Sequence, residues 1–340
     1  MKVSELAETA SMLVAGGKGL LAMDDSIETC NIRFAGAGIP QTMEMRHAYR
    51  KLIVTTPGLS EFISGVILNE ETIRQREKDG ESFVRVTTDE RIIPGVKVDT
   101  GLEDMPGHPG EKLTTGLCGL RDRLVEYSRL GARFAKWRST FAVGDIIPSN
   151  DCIVANVQDL AHFASMCQEV GLVPVLEPDV LMEGAHTLER CFVVTERVLR
   201  TLFRELSASQ VMLKAVLLMP NMVLPGSTCP KQETVEEVAE TTVRCLLGVV
   251  PPEVPGIAFS SSGQPEELAS ARLNAMNIEF QSRPPWVLTF SFARAVQTPA
   301  LEIWRGDFAN LYDAQQSLYH RVRCNQAARQ GEYNLAMESA

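Results

Sequence analysis

The sequence lacks an excess of basic residues. Its 340 residues carry 33 lysines and arginines against 43 aspartates and glutamates, so the formal net charge is -10. Affinity for the phosphate backbone of nucleic acids depends on a basic surface field. The composition therefore argues against nucleic-acid binding, and any phosphate ligand must be held by a few local lysine or arginine side chains.

The sequence also lacks closely spaced pairs of metal-binding residues. Its eight cysteines include no CxxC pair, and its five histidines never lie four residues apart. Zinc sites usually show such spacings, so we expect neither a metal nor a cofactor. Scattered cysteines without a disulfide framework are typical of free thiols in a reducing cytoplasm.

Long apolar runs are missing as well. None approaches the roughly 18 residues that a membrane-spanning helix needs, and the N-terminal segment MKVSELAETA has no apolar signal core. We therefore expect a cytoplasmic protein that does not enter a membrane.

What the sequence does contain is a regular alternation of short apolar runs and amphipathic segments. The eight runs are KGLLAMDDS, EFISGVILNE, IIPGVKVDTG, ARFAKWRS, LVPVLEPDV, KAVLLMPNM, GIAFSSSGQ and PWVLTFSFAR. Parallel strands need helical crossovers, and no glycine-rich dinucleotide motif is present. The pattern predicts an α/β fold, a (β/α)8 barrel forming one domain over residues 1–340, with a mobile C-terminal end at 330–340.

One of the predicted helices has clear boundaries. It begins with a capping box formed by Thr234 and Glu237, and it should stop at Gly248 because prolines follow at positions 251 and 252.

Polar residues gather where the predicted strands end, which is where such barrels carry their active sites. The strand-end residues, of which only Met219 is apolar, are Asp24, Asp25, Asn69, Glu70, Lys97, Asp99, Lys136, Arg138, Glu177, Asp179, Met219, Asn221, Ser261, Ser262 and Arg294. One charged strand end can be a solvated loop, but several converging ends indicate acid–base chemistry. The basic members, together with the turns DDSIET and SSSGQ, favour a ligand phosphorylated at both ends.

Longer motifs resemble the class I fructose-1,6-bisphosphate aldolases, in register from about residue 5 to residue 335. They are LLAMDDS, PGLSEFISGVIL, IPGVKVDTG, GARFAKWR, GLVPVLEPDVL, LLMPNMVLPG, SSSGQPEELASARLNAMN and WVLTFSFARAVQ. The resemblance implies a (β/α)8 barrel and a homotetramer. It also implies the glycolytic and gluconeogenic cleavage of fructose 1,6-bisphosphate into dihydroxyacetone phosphate and glyceraldehyde 3-phosphate, through a lysine Schiff base.

The resemblance also implies a role for each matching residue. Asp24 would be the base for the C4 hydroxyl, and Lys136 and Glu177 would assist carbinolamine formation, dehydration and proton transfer. The other implied positions are Ser26, Thr29 and Lys97 near the 6-phosphate, Arg33 at the substrate channel, Arg138 at the substrate, and Ser261 and Arg294 at the 1-phosphate. We add Ser262, which replaces a family glycine, to the expected phosphate-binding residues.

The sequence departs from the family at the central position. The family pattern LLKP supplies the Schiff-base lysine, whereas this chain has Met219 there. A thioether has nearly the length of a lysine stem but cannot condense with a ketone. Other departures are Ser260 for leucine, Ser262 for glycine, Asp25 and Asp179 for glutamate, and an end at Ala340 without the family's terminal tyrosine.

Several interpretations stay open. The chain is an impaired or inactive aldolase in which Met219 was introduced to trap substrate, or a diverged paralogue that binds sugar phosphates without cleaving them or uses another substrate. Alternatively, it is a lyase whose Schiff base has moved to another lysine, such as Lys136. A different class of function is a non-enzymatic scaffold role, in which the surface of the tetramer binds other proteins.

Overall fold

The strands and helices follow the predicted alternation. The computed structural model describes residues 3–77, 79–280 and 285–339. The two outer bounds of the predicted domain, Met1 and Ala340, therefore lie outside the described residues. In these ranges the strands are β1 (Gly19–Met23), β2 (Ile63–Leu68), β3 (Ile93–Lys97), β4 (Gly101–Asp104), β5 (Lys112–Thr115), β6 (Phe134–Phe141), β7 (Val173–Val180), β8 (Leu217–Leu218), β9 (Gly256–Phe259) and β10 (Val287–Phe292).

The helices lie between these strands. They are α1 (Val3–Val14), α2 (Ile27–Gly36), α3 (Met43–Val54), α4 (Glu70–Arg74), α5 (Phe83–Asp89), α6 (Leu120–Leu130), α7 (Asn150–Val170), α8 (Leu188–Ala208), α9 (Val235–Val249), α10 (Glu266–Glu279), α11 (Arg294–Trp304) and α12 (Leu311–Gln330). Short 3₁₀ turns occupy Leu59–Glu61, Leu213–Ala215, Phe308–Asn310 and Leu335–Ser339.

Eight of the strands close into a parallel barrel in the order β1-β10-β9-β8-β7-β6-β3-β2, which confirms the predicted (β/α)8 fold. The remaining two, β4 and β5, form a separate antiparallel hairpin between β3 and α6. Within the barrel, Lys136 on β6 is in register with Val175 on β7, which in turn is in register with Leu217 on β8. This register determines which side chains of neighbouring strands lie at the same height inside the barrel.

The barrel interior is an apolar layer beneath the strand ends. Its buried members are Leu20, Ala22, Ile67, Phe134, Val173, Val175, Leu217, Met219 and Ala258, and α1 packs against them from below through Leu6, Ala10, Leu13 and Val14. The ring of Phe134 occupies the space beside Gly95 on β3, where an added Cβ would lie 2.3 Å from ring carbons. Glycine at this position therefore makes room for the aromatic ring.

The capping of α9 is as predicted, but its end is not. The Glu237 amide donates to the Thr234 hydroxyl at 3.2 Å, and the Thr234 amide donates to the Glu237 carboxylate at 2.8 Å. The helix continues through Gly248 to Val249, so the predicted stop was wrong by one residue. Val250 has a ψ of 121° because the proline that follows it disfavours a helical conformation.

The predicted domain boundaries and the mobile end at 330–340 stay predictions. In the ranges that the structure describes, no helix is both long enough and apolar enough to cross a lipid bilayer.

We expect Gly95→Ala to lower the thermal midpoint of unfolding, because the added methyl group cannot fit beside Phe134 without moving it. Overpacking of this kind costs about 1–3 kcal/mol. The matched control is Gly36→Ala on α2, where an added Cβ meets no heavy atom within 4 Å. Equal midpoints for the two variants, measured by circular dichroism, would contradict the close packing at Gly95.

Candidate active site

A cavity of about 480 Å³ opens at the C-terminal ends of the barrel strands, and we call it the barrel mouth. All twelve predicted site residues line it, namely Asp24, Ser26, Thr29, Arg33, Lys97, Lys136, Arg138, Glu177, Met219, Ser261, Ser262 and Arg294. A larger groove of about 1300 Å³ runs along α3 outside the barrel, and none of these twelve residues, all of them described, lines it.

Adjacent strands bring the central residues together. Lys136 lies on β6 and Glu177 on β7, while Met219 follows β8 directly and donates its backbone N–H to the carbonyl of Leu176 at 2.7 Å. Because alternate residues of a strand face the same side, each of these side chains points into the barrel. Met219 is only 1% exposed and lies where the apolar interior meets the polar mouth.

The ammonium group of Lys136 lies between two carboxylates. Its Nζ lies 2.5 Å from Asp24 Oδ2 and 2.7 Å from Glu177 Oε2, and all three side chains are at least nine-tenths buried. Burial by itself would lower the pKa of Lys136, but the two neighbouring negative charges outweigh it and raise that pKa above its ordinary value. Lys136 is therefore held in its protonated form.

The two carboxylates respond to this environment in opposite directions. Burial favours a higher pKa for Asp24, but Lys136 and Lys97 more than offset it, so the pKa of Asp24 lies below its ordinary value. For Glu177, burial outweighs the attraction of Lys136 and Arg138, and its pKa is raised. Neighbouring groups whose pKa values are pushed apart are suited to serve as base and acid in one reaction.

Most of the other basic side chains at the mouth are also paired. Arg138 donates through Nη2 and Nε to Asp179 Oδ2 at 2.5 and 3.0 Å. Lys97 Nζ lies 3.1 Å from Asp99 Oδ1. The guanidinium of Arg33 donates to Asp25 at 2.5 Å.

Arg294 differs from these cations. It is exposed at the start of α11, and among the described residues it has no carboxylate partner. Its Nη2 lies close to Gly263, at 3.6 Å from the position that a Cβ would take there. Arg294 is therefore available to an incoming anion.

Both hydroxyl-rich turns predicted from the sequence face the mouth. Ser26 caps α2, where its Oγ accepts from the Thr29 amide at 3.1 Å. In the second turn, the hydroxyl oxygens of Ser260 and Ser262 lie 2.8 Å apart, and Ser262 donates to Asp179 Oδ1 at 3.4 Å. Ser262 has φ +46°, the left-handed region that favours glycine.

Sequence reasoning missed Ser291 as a site residue. It lies on β10, lines the mouth and is buried, and its hydroxyl has no hydrogen-bond partner among the described residues. A polar residue in the apolar run TFSF was the available signal. Asp25 and Asp179, which the sequence placed at the strand ends, also line the mouth, as does Ser260, which the sequence identified only as a departure from the family pattern.

Comparisons with known proteins give one consistent result. The family model described as "Fructose-bisphosphate aldolase class-I" matches residues 5–340. The "Probable fructose-bisphosphate aldolase class 1" of Xanthomonas campestris is 49% identical over 334 residues, covering 98% of this chain and 99% of the relative. "Fructose-bisphosphate aldolase 5, cytosolic" of Arabidopsis thaliana is 45% identical over 329 residues, covering 97% and 91% of the two chains.

A solved structure is similar throughout. It is fructose-bisphosphate aldolase from Plasmodium falciparum, in complex with TRAP and a small-molecule inhibitor. The TM-score is 0.95 at 43% identity, and the match covers 97% of this chain and 95% of that one.

We expect Lys136→Met to destabilise the protein by about 3–5 kcal/mol at neutral pH, because two buried carboxylates would lose their shared cation. In the native protein the folded pKa of Asp24 is depressed, so its contribution to stability is present above its unfolded pKa and is lost as the pH falls. In the variant, burial would instead raise the pKa of Asp24, and protonation would recover part of the lost stability. The deficit in thermal midpoint should therefore shrink as the pH falls from about 7 to about 4.

The control for this prediction is the double variant Asp24→Asn, Lys136→Met, which removes both charges and should show a weaker pH dependence. Glu177, whose folded pKa is raised, acts with the opposite sign, since its contribution is present below its unfolded pKa and is lost as the pH rises. In Lys136→Met the pKa of Glu177 should rise further because the attraction of Lys136 is lost, so Glu177 also makes the deficit shrink as the pH falls, and it does so in the double variant as well. Parallel midpoint curves for the native protein and Lys136→Met would refute the proposed coupling.

Proposed function

The chain belongs to the family of class I fructose-bisphosphate aldolases, and from that premise we propose that it binds ketose bisphosphates but cleaves them very slowly or not at all. The observation that carries the proposal is Met219. It is buried at the base of the mouth, and it occupies the position at which the family resemblance puts the Schiff-base lysine. The other departures among the lining residues are Asp25, Asp179, Ser260 and Ser262.

The chemical consequence follows from the lost amine. A class I aldolase breaks a carbon–carbon bond because a protonated iminium group accepts the electrons, and the thioether of Met219 cannot form that group. Losing a covalent nucleophile raises the barrier by on the order of 5 kcal/mol or more. Binding need not fall in parallel, because the phosphate-contacting positions are separate from Met219.

The remaining residues support binding and proton transfer in this proposal. Asp24 acts as the base for the C4 hydroxyl, and Lys136 and Glu177 act on the carbonyl end of the ligand. Their opposed pKa shifts support this division. The phosphate-binding positions would be Ser26, Thr29, Arg33 and Lys97 at one end of the ligand and Ser261, Ser262 and Arg294 at the other, with Arg138 between them.

A Schiff base relocated to Lys136 is the alternative that this geometry disfavours. Its amine is protonated and engaged by two carboxylates, so nucleophilic attack would require loss of a proton and of both ion pairs. Lys214 is exposed in the 3₁₀ turn before β8, at the opposite end of the strand from the mouth. Neither lysine replaces the missing group without rearrangement.

The family membership also supports an inference about the assembly and location of the protein and its metabolic role. We infer a single-domain subunit of a cytoplasmic homotetramer that meets its ligands in glycolysis and gluconeogenesis. The name of the Arabidopsis relative, which is called cytosolic, agrees with this inference.

The first test is borohydride trapping. Native protein incubated with dihydroxyacetone phosphate and reduced should show no adduct by intact mass, while calorimetry detects binding. Met219→Lys should give an adduct at residue 219. Burial and the nearby Lys136 ammonium would lower the pKa of the new amine, so a larger fraction of it would be neutral and nucleophilic. Cleavage should rise by roughly a thousandfold or more.

The control is Met219→Leu, which fills the same space without an amine and should stay inactive. An adduct on Lys136 in the native protein would overturn the proposal in favour of a relocated Schiff base. If a folded Met219→Lys variant gave no adduct, Met219 would not be sufficient to explain the loss of Schiff-base formation, and Ser260 and Ser262 at the mouth would be the residues to revert next.

Phosphate binding can be tested separately through Arg294. Because this guanidinium lacks a carboxylate partner among the described residues, Arg294→Ala should weaken binding of fructose 1,6-bisphosphate by about tenfold or more, the range of a charge-assisted hydrogen bond. Arg200→Ala, an exposed change on α8 remote from the mouth, is the matched control. Equal dissociation constants for the two variants by calorimetry would exclude Arg294 from the phosphate site.

A further inference from the structure

Three side chains with metal-binding atoms meet where the C-terminal segment, residues 331–339, packs against α12. His320 and Cys324 lie four residues apart on α12 and therefore share one helix face. Glu338 comes from the turn Leu335–Ser339. Cys324 Sγ lies 3.7 Å from His320 Nε2, Glu338 Oε2 lies 3.5 Å from the same nitrogen, and all three atoms lie within 4.8 Å of one another.

These separations fit a tetrahedral metal site. Bond lengths of about 2.3 Å to sulfur and about 2.0 Å to nitrogen or oxygen put the ligand atoms of tetrahedral zinc roughly 3.3–3.6 Å apart. The two distances to His320 Nε2 are within a few tenths of an ångström of these values. The remaining pair, the sulfur of Cys324 and the carboxylate oxygen of Glu338, lies within 4.8 Å and would move closer through side-chain rotation when the ion binds. A thiolate, an imidazole and one carboxylate together suit Zn²⁺ rather than Mg²⁺ or Ca²⁺, which prefer oxygen ligands alone.

The carboxylate is already oriented by its neighbours. The Tyr333 hydroxyl donates to Glu338 Oε1 at 2.7 Å, and Arg321 Nη1 donates to Glu338 Oε2. Arg321 is fixed in turn by its bond to the Ser270 hydroxyl at 3.1 Å. Hydrogen bonds of this kind orient metal ligands in known sites and tune their affinity.

Burial and charge are also compatible with a bound ion. Cys324 is 1% exposed, whereas the side chains of His320 and Glu338 are 27% and 14% exposed, so the cluster is closed on the thiol side and open on the imidazole side. Water can occupy a fourth position there. Zn²⁺ binding would displace the thiol proton of Cys324 to solvent. The thiolate and the carboxylate would then offset the two positive charges of the ion, and with Arg321 bonded to the same carboxylate the site would carry a net charge of +1.

We propose that His320, Cys324 and Glu338 form a zinc site that fastens the C-terminal segment to α12. The proposal departs from the expectation of no metal, which considered histidine–histidine and cysteine–cysteine spacings but not a histidine and a cysteine four residues apart. It is independent of the barrel mouth and of the activity proposed for it.

The test uses the full chain, stripped of metals and titrated with Co²⁺ as a spectroscopic probe. We expect one ion per chain and a thiolate-to-cobalt charge-transfer band in the near ultraviolet, removed when Zn²⁺ displaces the Co²⁺. Cys324→Ser should lose the band, while Cys118→Ser, a change at the one described exposed cysteine, should keep it. Absence of the band in native protein, or its persistence in Cys324→Ser, would overturn the proposal.

A second variant separates a metal site from a simple ion-paired contact. Glu338→Gln keeps the size of the side chain and should bind Zn²⁺ at least tenfold more weakly, an effect on the order of those seen when metal-site residues are altered. Zn²⁺ should raise the thermal midpoint of native protein and slow hydrogen exchange in residues 333–339. Equal stabilisation of native protein and a folded Glu338→Gln by Zn²⁺ would place the ion elsewhere.

Discussion

The buried ammonium of Lys136 is the interaction on which the barrel mouth depends. Asp24 and Glu177 share it in a region that water scarcely reaches, and removing it would leave two buried carboxylates without their common cation. The three residues come from β6, from β7 and from the end of β1. Their contact therefore requires the correct register of strands on both sides of the barrel, because a one-residue slip would turn side chains outward.

Met219 fits this electrostatic arrangement better than an amine would. A second ammonium group beside Lys136 would compete with it for the same two carboxylates and would be repelled by it. The thioether instead continues the apolar layer of Leu217 and Ala258 beneath the mouth. If Met219 replaces the Schiff-base lysine as proposed, the change would also remove an electrostatic repulsion from the mouth, in line with the common trade-off between stability and activity at catalytic sites.

The barrel and most residues of its mouth could be predicted because the apolar runs of the strands and the polar residues at their ends are both visible in short stretches of sequence. Apolar runs located all eight barrel strands, and barrel geometry then brought their polar ends together. The ion pairs were not predictable, because which carboxylate meets Arg138 depends on strand register and rotamer. The helix end at Val249 was misplaced because the proline two residues later, and not Gly248, sets it. Glu338 lies fourteen residues beyond Cys324, so only tertiary packing reveals their contact.

The pairing of cations at the mouth also determines how an anionic ligand can bind. Five basic side chains and four carboxylates line the cavity, and Arg33 and Arg138 are each held by an aspartate that also lines it. A phosphate that approaches either of these must compete with a carboxylate already in place. At Arg294 no such competition exists among the described residues. In the proposed binding mode, a bisphosphate would therefore gain more from contact with the turn at Ser261 and Arg294 than from its other end. With an overall charge of -10 repelling anions at long range, this local asymmetry would orient the proposed ligand within the barrel mouth.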